Sequence, residues 1–293
     1  MKLSILIPVY DEQNSVESIL RRVAGMDLSQ IAEPVAIEII AVDDCSTDNT
    51  PHILARLHGG PAEAPGEGPR PERQPGQLAA TGGTGGTGGT ATAQAVAAPA
   101  TMETAKTAGT AETIPGLRVI QHPVNQGKGA AIRTALAAAT GDYCIIQDAD
   151  FEYDPADIPR LLKPVADGNA KVVYGARPLD GSGGRWVLDF GNRALTVITN
   201  LLYGTHLHDM ETCYKLLPTA LLRSFDLECS RFDMEPEITA KVTRSGHRIL
   251  EVPIAYHPRA GGKKLSARKD GLPALMALLR YRTWQPAAPV MVR

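Results

Sequence analysis

Two aspartates that stand two residues apart, Asp148 and Asp150, are the side chains of this sequence best suited to chemistry. They directly follow an apolar run at residues 143–147, which predicts a buried strand. Two carboxylates at the end of such a strand can both face a hard cation if the chain turns there, and Glu152 could supply a third oxygen. Oxygen ligands suit Mg²⁺ or Mn²⁺ that is held by one or two carboxylates together with substrate phosphates. The alternative is that both aspartates only cap the following turn, where Asp is common.

Polar residues also follow four other apolar runs, each of which predicts a strand. The apolar runs are residues 3–9, 35–42, 117–121 and 171–174. The polar groups at their ends are, in the same order, residues 8–12, 43–48, 125–129 and 175–177. The carboxyl ends of parallel strands share one edge of a sheet, and open α/β folds bind their ligands at that edge. Five loops that carry acids, amides and bases to the same edge therefore predict a binding site there.

The elements that must position these residues alternate between strand and helix. Helices are predicted from residue 15 to about 24, from Thr50, from 129 to 139 and from Asp154. Short alternating units of this kind predict an α/β fold with a mainly parallel central sheet and helices on both faces.

Three of the loops contain residues that could bind phosphate or a nucleoside. The glycine-flanked Lys128 precedes a predicted helix whose free N–H groups would attract an anion, although a tight turn with a solvated lysine is the alternative. Asp43 and Asp44 could accept hydrogen bonds from a base or a ribose, or they could cap the next helix. Arg177 suits a phosphate, and a surface salt bridge is its alternative.

Composition excludes several classes of protein. The formal net charge of -2 over 293 residues gives no support for a general nucleic-acid binder. The four cysteines are scattered without a CxxC pair, which disfavours a zinc site or a disulfide framework and favours reduced thiols in the cytoplasm. No run of 18 apolar residues predicts a membrane-spanning helix. A dinucleotide oxidoreductase is disfavoured because no GxGxxG follows the first predicted strand.

Two segments depart from the alternating pattern. Residues 59–115 contain Pro-rich sequence, a threefold Thr-Gly-Gly repeat and no aromatic residue, so they predict a disordered low-complexity insertion. The chain from Lys241 onward carries eleven Lys and Arg against two acidic residues, which could bind phosphates or an anionic lipid surface. Within it, residues 272–284 predict an amphipathic helix and peripheral contact with a membrane. Apolar residues between 187 and 203 have helical spacing, which favours core packing over a lipid-facing groove.

The loop motifs together resemble those of family 2 glycosyltransferases of GT-A fold, the nucleotide-diphospho-sugar transferase fold. They are the sequences of residues 8–12, 42–48, 125–131 and 148–150. Residues 209–215 and 235–239, with the basic loop near 262–264, resemble more specifically the dolichol-phosphate mannosyltransferase-like branch, which uses polyprenyl phosphate. Cys45 stands where the family usually has Gly. Glu235 and Glu237 open a helix, where acids are favoured by the helix dipole, and are interpreted as structural.

The resemblance implies an inverting transfer of a sugar from a donor such as GDP-mannose or UDP-glucose to a polyprenyl phosphate or another lipid acceptor. It implies a single catalytic domain formed by residues 1–58 and 116–272, followed by a basic C-terminal helix and tail at 273–293. The protein would act in the cytoplasm or at the cytoplasmic face of a membrane. The alternatives are a saccharide, lipid or small-molecule hydroxyl acceptor, or a nucleotide-sugar-binding protein without turnover.

The same resemblance implies roles for individual residues. The donor would be held by Pro8, Tyr10, Glu12, Asp43, Lys128 and Asp148. The Mg²⁺ or Mn²⁺ ion would be held by Asp148, Asp150 and Glu152. Phosphates of the donor or the acceptor would meet Arg177, Arg193, and Lys263 or Lys264. The catalytic residues would be Asp150, Arg177 and Asp209. A phosphate acceptor is already anionic near neutral pH, whereas a hydroxyl acceptor needs a general base, for which Asp209 is the candidate unless it only pins a loop.

Overall fold

A seven-stranded mixed sheet forms the centre of the protein. The computed structural model describes residues 1–63, 113–178, 186–258 and 267–286. The strands are β1 Lys2–Val9, β2 Ala36–Asp43, β3 Leu117–Gln121, β4 Tyr143–Ile146, β5 Val172–Ala176, β6 Lys215–Pro218 and β7 Ile249–Pro253. The helices in the described ranges are α1 Val16–Ala24, α2 Thr50–His58, α3 Lys128–Ala138, α4 Ile158–Ala166, α5 Trp186–Tyr203, α6 Thr219–Ser224, α7 Met234–Arg244 and α8 Ala267–Arg280.

The strand order is β3-β2-β1-β4-β6-β5-β7, and every neighbouring pair is parallel except those that involve β6. The predicted α/β fold with a mainly parallel sheet is therefore confirmed. Because β6 runs antiparallel between β4 and β5, strands β1 to β5 all end at one edge of the sheet, which we call the rim. The segment that leads into β6 reaches the same rim.

Strand register brings the predicted loops level with one another at the rim. Val9 at the end of β1 pairs with Asp43, and Asp43 pairs with Gln121 at the end of β3. Leu6 pairs with Ile146, so continuation of that register places Asp148 level with Pro8. The middle of β1 is fully buried, as expected for a strand covered by helices on both faces.

A buried carboxylate, Glu38, ties the opposite edge of the sheet together. Its oxygens accept hydrogen bonds from Ser4 Oγ at 2.6 Å, from Thr140 N at 2.7 Å and from Thr140 Oγ1 at 2.8 Å, and Lys2 Nζ lies 3.1 Å away. Burial opposes ionisation of this group, but the hydrogen bonds from Ser4 and Thr140 outweigh it and lower the pKa of Glu38 to about 2. The carboxylate therefore stays ionised and holds β1 and β2 to the segment before β4.

The prediction that residues 59–115 form a disordered insertion is wrong at both ends of this range. Glu63 pairs with β3 through its N–H to Val119 O at 2.7 Å and its carbonyl oxygen to Gln121 N at 3.0 Å. Ile114 is 5% exposed in the core and donates its N–H to Leu57 O. Both ends of the segment thus belong to the folded domain, and the rest of it, residues 64–112, lies outside the described residues.

Helices α5 and α8 pack against each other beside the rim. The Tyr203 hydroxyl donates to Leu278 O at 2.6 Å, and a small apolar cluster that includes Leu207 and Met210 fills the space between the helices. Other apolar residues of the two helices are exposed, and we call them together the outer apolar face. Its members are Phe190, Val197, Leu201, Leu272, Met276 and Leu279. Some apolar residues of α5 therefore pack inside the protein, and others are exposed to solvent. No helix in the described ranges is long and apolar enough to cross a membrane.

Candidate functional site

A three-residue ion-pair cluster lies at the rim where β4 ends. Lys128 Nζ, on the first residue of α3, lies 2.8 Å from Asp148 Oδ1 and 2.9 Å from Glu235 Oε1, and 5.6 Å from the centre of the Phe232 ring. Burial would lower the pKa of Lys128, but Asp148 and Glu235 raise it well above its ordinary value. Lys128 therefore stays charged and fixes Asp148, and Glu235, which was interpreted as structural, is part of the site.

The loop after β4 does not form a complete metal cage. Asp150 Oδ1 accepts the Glu152 N–H at 2.9 Å, and the Glu152 carbonyl accepts the His257 N–H at 2.9 Å. In the described part of the chain, no three His, Cys, Asp or Glu side chains are grouped so that they could hold a metal ion. The metal contact of Asp148, Asp150 and Glu152 therefore stays a prediction. Asp148 and Asp150 still fit a cation that takes one or two carboxylates and completes its shell with phosphate oxygens and water.

The two aspartates at the end of β2 are engaged by the protein itself. Asp44 accepts the N–H groups of Gln126 at 2.9 Å and Gly127 at 2.7 Å, and its carboxylate lies 2.7 Å from His122 Nδ1. Asp43 is buried and accepts from Ser46 N at 3.0 Å and from the Gln121 side chain at 3.1 Å. Asp44 therefore organises the loop before α3, while the contact of Asp43 with a nucleoside stays a prediction.

At the start of α3, the N–H groups of Gly129 and Ala130 are directed at the Ser230 carbonyl, so neither of them is left for the phosphate predicted to bind there. Gly129 N donates to Ser230 O at 2.9 Å, and Ala130 N lies 3.4 Å from the same oxygen. A Cβ atom at Gly127 would overlap Ser230 O, and one at Gly129 would overlap Cys229 O. The glycines on either side of Lys128 are required because the segment at 229–230 packs directly on this loop.

Arg177 and Asp209 form a buried ion pair between β5 and the turn before β6. Arg177 Nε lies 2.6 Å from Asp209 Oδ2, and Nη2 lies 2.7 Å from Oδ1. The guanidinium also lies over the rings of Tyr153 and Tyr256, at 5.8 Å and 5.3 Å. Asp209 is fully buried, and both of its oxygens accept from Arg177. Burial excludes a surface salt bridge for Arg177, and the pairing argues against Asp209 as a general base. The contact of Arg177 with a phosphate stays a prediction.

The loop after β1 is joined to the loop after β2. Asp11, at a φ of 52°, accepts the Thr47 N–H at 2.7 Å. Glu12 accepts the Ser15 hydroxyl at 2.8 Å. Pro8 and Tyr10 are partly exposed at the same position on the rim, as a nucleoside contact requires. The negative charge of Asp11 raises the pKa of Tyr10. Their contact with the nucleoside stays a prediction.

One basic residue predicted to meet a phosphate, Arg193, lies on α5. Arg193 is exposed on α5, one turn before Thr196, whose hydroxyl accepts the Met210 N–H at 3.1 Å. This contact places Arg193 beside the turn that leads into β6. Lys263 and Lys264 lie outside the described residues.

Two carboxylates that were not predicted to be functional, Glu211 and Glu235, interact electrostatically at this site. Glu211 follows Asp209 by two residues. Burial, and next the charge of Glu235, raise the pKa of Glu211 to about 8, and burial lowers the pKa of the neighbouring Lys215 to about 8. Lys215 Nζ donates to the carbonyls of Met210 and Thr212. The sequence could have indicated Glu211, because it is an acidic residue two positions after Asp209.

Comparison with known proteins identifies the class. The sequence model of glycosyl transferase family 2 matches residues 4–66 and 101–224, which is more than half of the chain. The chain therefore belongs to glycosyl transferase family 2, a family of transferase enzymes. The match leaves out residues 67–100, within the predicted insertion.

Curated relatives are similar over about half of this chain. The low-salt glycan biosynthesis hexosyltransferase Agl6 of Haloferax volcanii is 29% identical over 157 residues, which are 52% of this chain and 38% of that protein. An uncharacterized glycosyltransferase of Mycobacterium tuberculosis is 27% identical over 167 residues, which are 57% of this chain and 75% of the relative. The chain thus spans well under half the length of the Haloferax protein.

Solved structures share the fold. Glucosyl-3-phosphoglycerate synthase from Mycobacterium tuberculosis, in complex with Mn²⁺, UDP and glucosyl-3-phosphoglycerate, superposes with a TM-score of 0.61 at 17% identity. The alignment covers 98% of this chain and 81% of the synthase. The same synthase with Mg²⁺ and UDP gives a TM-score of 0.58. These similarities confirm the predicted GT-A architecture.

Proposed function

We propose that this protein transfers a hexose, with inversion, from a nucleotide-diphosphate donor of the UDP-glucose or GDP-mannose type to a polyprenyl phosphate. The proposal is carried by the position of Asp148 and Asp150 at the end of β4, level with Pro8 and beside the joined loops of β1 and β2. Metal-bound UDP in solved structures of the same fold, and a hexosyltransferase among the relatives, support the donor class.

Asp148 and Asp150 would hold Mg²⁺ or Mn²⁺ against the donor. The ion, when bound, neutralises charge on the departing diphosphate. Lys128 holds Asp148 in position and stays charged, so it adds positive charge beside that diphosphate. Pro8, Tyr10, Glu12 and Asp43 line the nucleoside side of the rim in this proposal.

The state of Asp209 favours a phosphate acceptor. A phosphomonoester oxygen is already anionic near neutral pH, its second pKa being about 6, so its attack needs no strong general base. Asp209, the base that a hydroxyl acceptor would require, is buried and bound to Arg177 at two points. Transfer would then depend on positioning of the two phosphates and on stabilisation of the leaving group.

The outer apolar face favours a lipid as the carrier of that phosphate. Leu201 is 80% exposed and Phe190 is 71% exposed, on the helix that also carries Arg193. A surface with several large apolar side chains beside a basic residue is expected where a protein meets a membrane peripherally. We propose that Arg193, with Lys263 or Lys264, meets the acceptor phosphate while this face contacts an anionic membrane.

The test combines donor binding with acceptor choice. Thermal-shift measurements with UDP-glucose and GDP-mannose, each with and without Mn²⁺, should show metal-dependent stabilisation by one donor. Turnover should then occur with a short-chain polyprenyl phosphate and not with the matching polyprenol or with 3-phosphoglycerate. Asp150→Asn should abolish turnover with the melting temperature of the free protein unchanged. Turnover with the polyprenol or with 3-phosphoglycerate would reject the phosphate-lipid acceptor, and an active Asp150→Asn variant would reject the metal site.

A further inference from the structure

Two buried carboxylate oxygens beside the Lys128–Asp148 pair are not explained by the function proposed above. They are Oε1 of Glu211, on the turn before β6, and Oε2 of Glu235, in the first turn of α7. Neither atom has a hydrogen-bond partner among the residues that the structure describes. A buried acceptor without a donor is costly and rare, so each such atom in a folded protein calls for a cause.

The cations nearest to this pair are engaged elsewhere. Lys128 donates to Asp148 and to the other oxygen of Glu235. Lys215 donates to the carbonyls of the turn, and Arg177 binds Asp209 at two points. The dipole of α7 accounts for an acid at its start but does not supply a donor to Glu235 Oε2. These cations therefore leave both oxygens without a donor among the described residues.

The chemistry of two adjacent acids restricts that donor. Phosphates and nucleoside diphosphates are anionic and would be repelled by Glu235, whereas the hydroxyls of a sugar are neutral and can each donate a hydrogen bond. Lys128 Nζ lies 2.9 Å from Glu235 and 2.8 Å from Asp148. Glu235 is therefore linked through Lys128 to Asp148, the residue proposed to hold the metal ion at the donor's diphosphate. In a nucleotide sugar, the hexose is bonded to that diphosphate.

We propose that Glu211 and Glu235 form the subsite that accepts hydrogen bonds from the hydroxyls of the transferred hexose. This inference rests on the proposed function, because it requires a nucleotide-sugar donor at Asp148. A hydroxyl donated to each oxygen would satisfy both orphaned acceptors at once. The pair would then select the hexose while the rest of the rim selects the nucleotide.

The experiment compares each nucleotide sugar with its own nucleoside diphosphate. Isothermal titration in Mn²⁺ of UDP against UDP-glucose, and of GDP against GDP-mannose, is carried out on the full chain and on Glu211→Gln and Glu235→Gln. Glu211→Gln should bind the diphosphate as the wild type does and bind the nucleotide sugar about tenfold more weakly or worse, because the amide changes both the charge and the hydrogen-bonding pattern of the side chain. Glu235→Gln should weaken binding of the nucleotide sugar more than binding of the diphosphate. Glu211→Gln decides alone if Glu235→Gln, which weakens the contact with Lys128, fails to fold.

Glu237→Gln is the matched control on the same helix. Its carboxylate is buried but engaged by Lys241 at 2.6 Å and by Cys229 N at 2.8 Å, so the variant should be less stable and keep the wild-type ratio of the two affinities. Equal weakening of diphosphate and nucleotide sugar in Glu211→Gln, or no weakening of either, would overturn the hexose subsite alone. Failure of the wild type to bind any of the four probes would overturn the proposed function together with the subsite.

Discussion

Arg177 and Asp209 join the end of β5 to the turn before β6 by two parallel contacts of 2.6 Å and 2.7 Å inside the protein. The Arg177 N–H adds a third contact to Asp209 Oδ2 at 3.2 Å. Because Glu211 follows Asp209 by two residues, the pair also fixes where the turn presents that second carboxylate. A residue first selected as a catalytic base is thus the anchor of the segment that carries other site residues.

We expect Asp209→Ala to lower the free energy of unfolding by about 3–5 kcal/mol, because it leaves the Arg177 guanidinium buried without its counter-ion. Urea denaturation monitored by circular dichroism measures the change. Asp167→Asn is the control, since Asp167 forms an exposed contact with Lys163 at 3.0 Å and its loss should cost less than about 1 kcal/mol. An Asp209→Ala protein of wild-type stability that has lost only turnover would restore the general-base assignment.

Deletion of residues 67–100 should leave the melting temperature and donor binding close to those of the intact chain. The family match omits this stretch, and Glu63 and Ile114 on its two sides belong to the folded domain. Ile114→Ala, in contrast, should lower the free energy of unfolding by about 2–5 kcal/mol because Ile114 is buried in the core. Differential scanning fluorimetry measures the melting temperatures of the deletion variant and of Ile114→Ala. Unfolding of the deletion variant would show that the stretch contributes to the fold.

Much of the fold follows from the sequence because strands β1 to β5 are mainly apolar runs. The bounds of β3 agree with the predicted run at 117–121. Strands β6 and β7 were not predicted. The sequence also did not indicate the antiparallel direction of β6, because its pairing with β4 and β5 depends on contacts between distant segments.

The sequence predicted which loops lie together at the rim, but not the partners of their side chains. The carboxyl ends of the strands share an edge by geometry alone, which places Asp148 at the rim. The partner of each carboxylate comes from a loop that is distant in the sequence. Asp44 accepts a hydrogen bond from Gly127, and Lys128 binds Glu235, which is 107 residues away. No local pattern contains that information.

Two substitutions in the rim loops should change stability in opposite directions. Gly127 has a φ of 96° and its Cβ would overlap the Ser230 carbonyl, so Gly127→Ala should destabilise the protein by more than about 1 kcal/mol. Cys45 has a φ of 63°, a left-handed conformation that favours glycine, so Cys45→Gly should be neutral or stabilising by up to about 1 kcal/mol. Urea midpoints of the two variants test this. A destabilised Cys45→Gly would show that the side chain contributes more than its backbone costs.

Glu38 should make the protein sensitive to acid. Its pKa is about 2 in the folded state against an ordinary value of 4.5, so its stabilising effect is complete above pH 4.5 and is lost as the pH falls toward 2. Glu38→Gln should therefore be less stable than the wild type at pH 7, and the difference should shrink between pH 4.5 and 2. Urea midpoints across this range measure it, with the exposed Glu33→Gln as the control. A constant difference at every pH would contradict the assigned pKa.

The outer apolar face should bind membranes through individual side chains. Removing one large apolar side chain from a lipid environment costs about 1.5–3 kcal/mol, so Leu201→Glu or Met276→Glu should weaken binding to vesicles by roughly tenfold or more. Flotation with phosphatidylcholine vesicles that contain anionic phosphatidylglycerol measures the effect. Leu250→Glu is the matched control, because Leu250 is also exposed but lies on β7, outside this face. If Leu250→Glu weakens binding as much as Leu201→Glu does, or if neither changes it, the face is not the membrane contact and the case for a lipid acceptor loses its structural support.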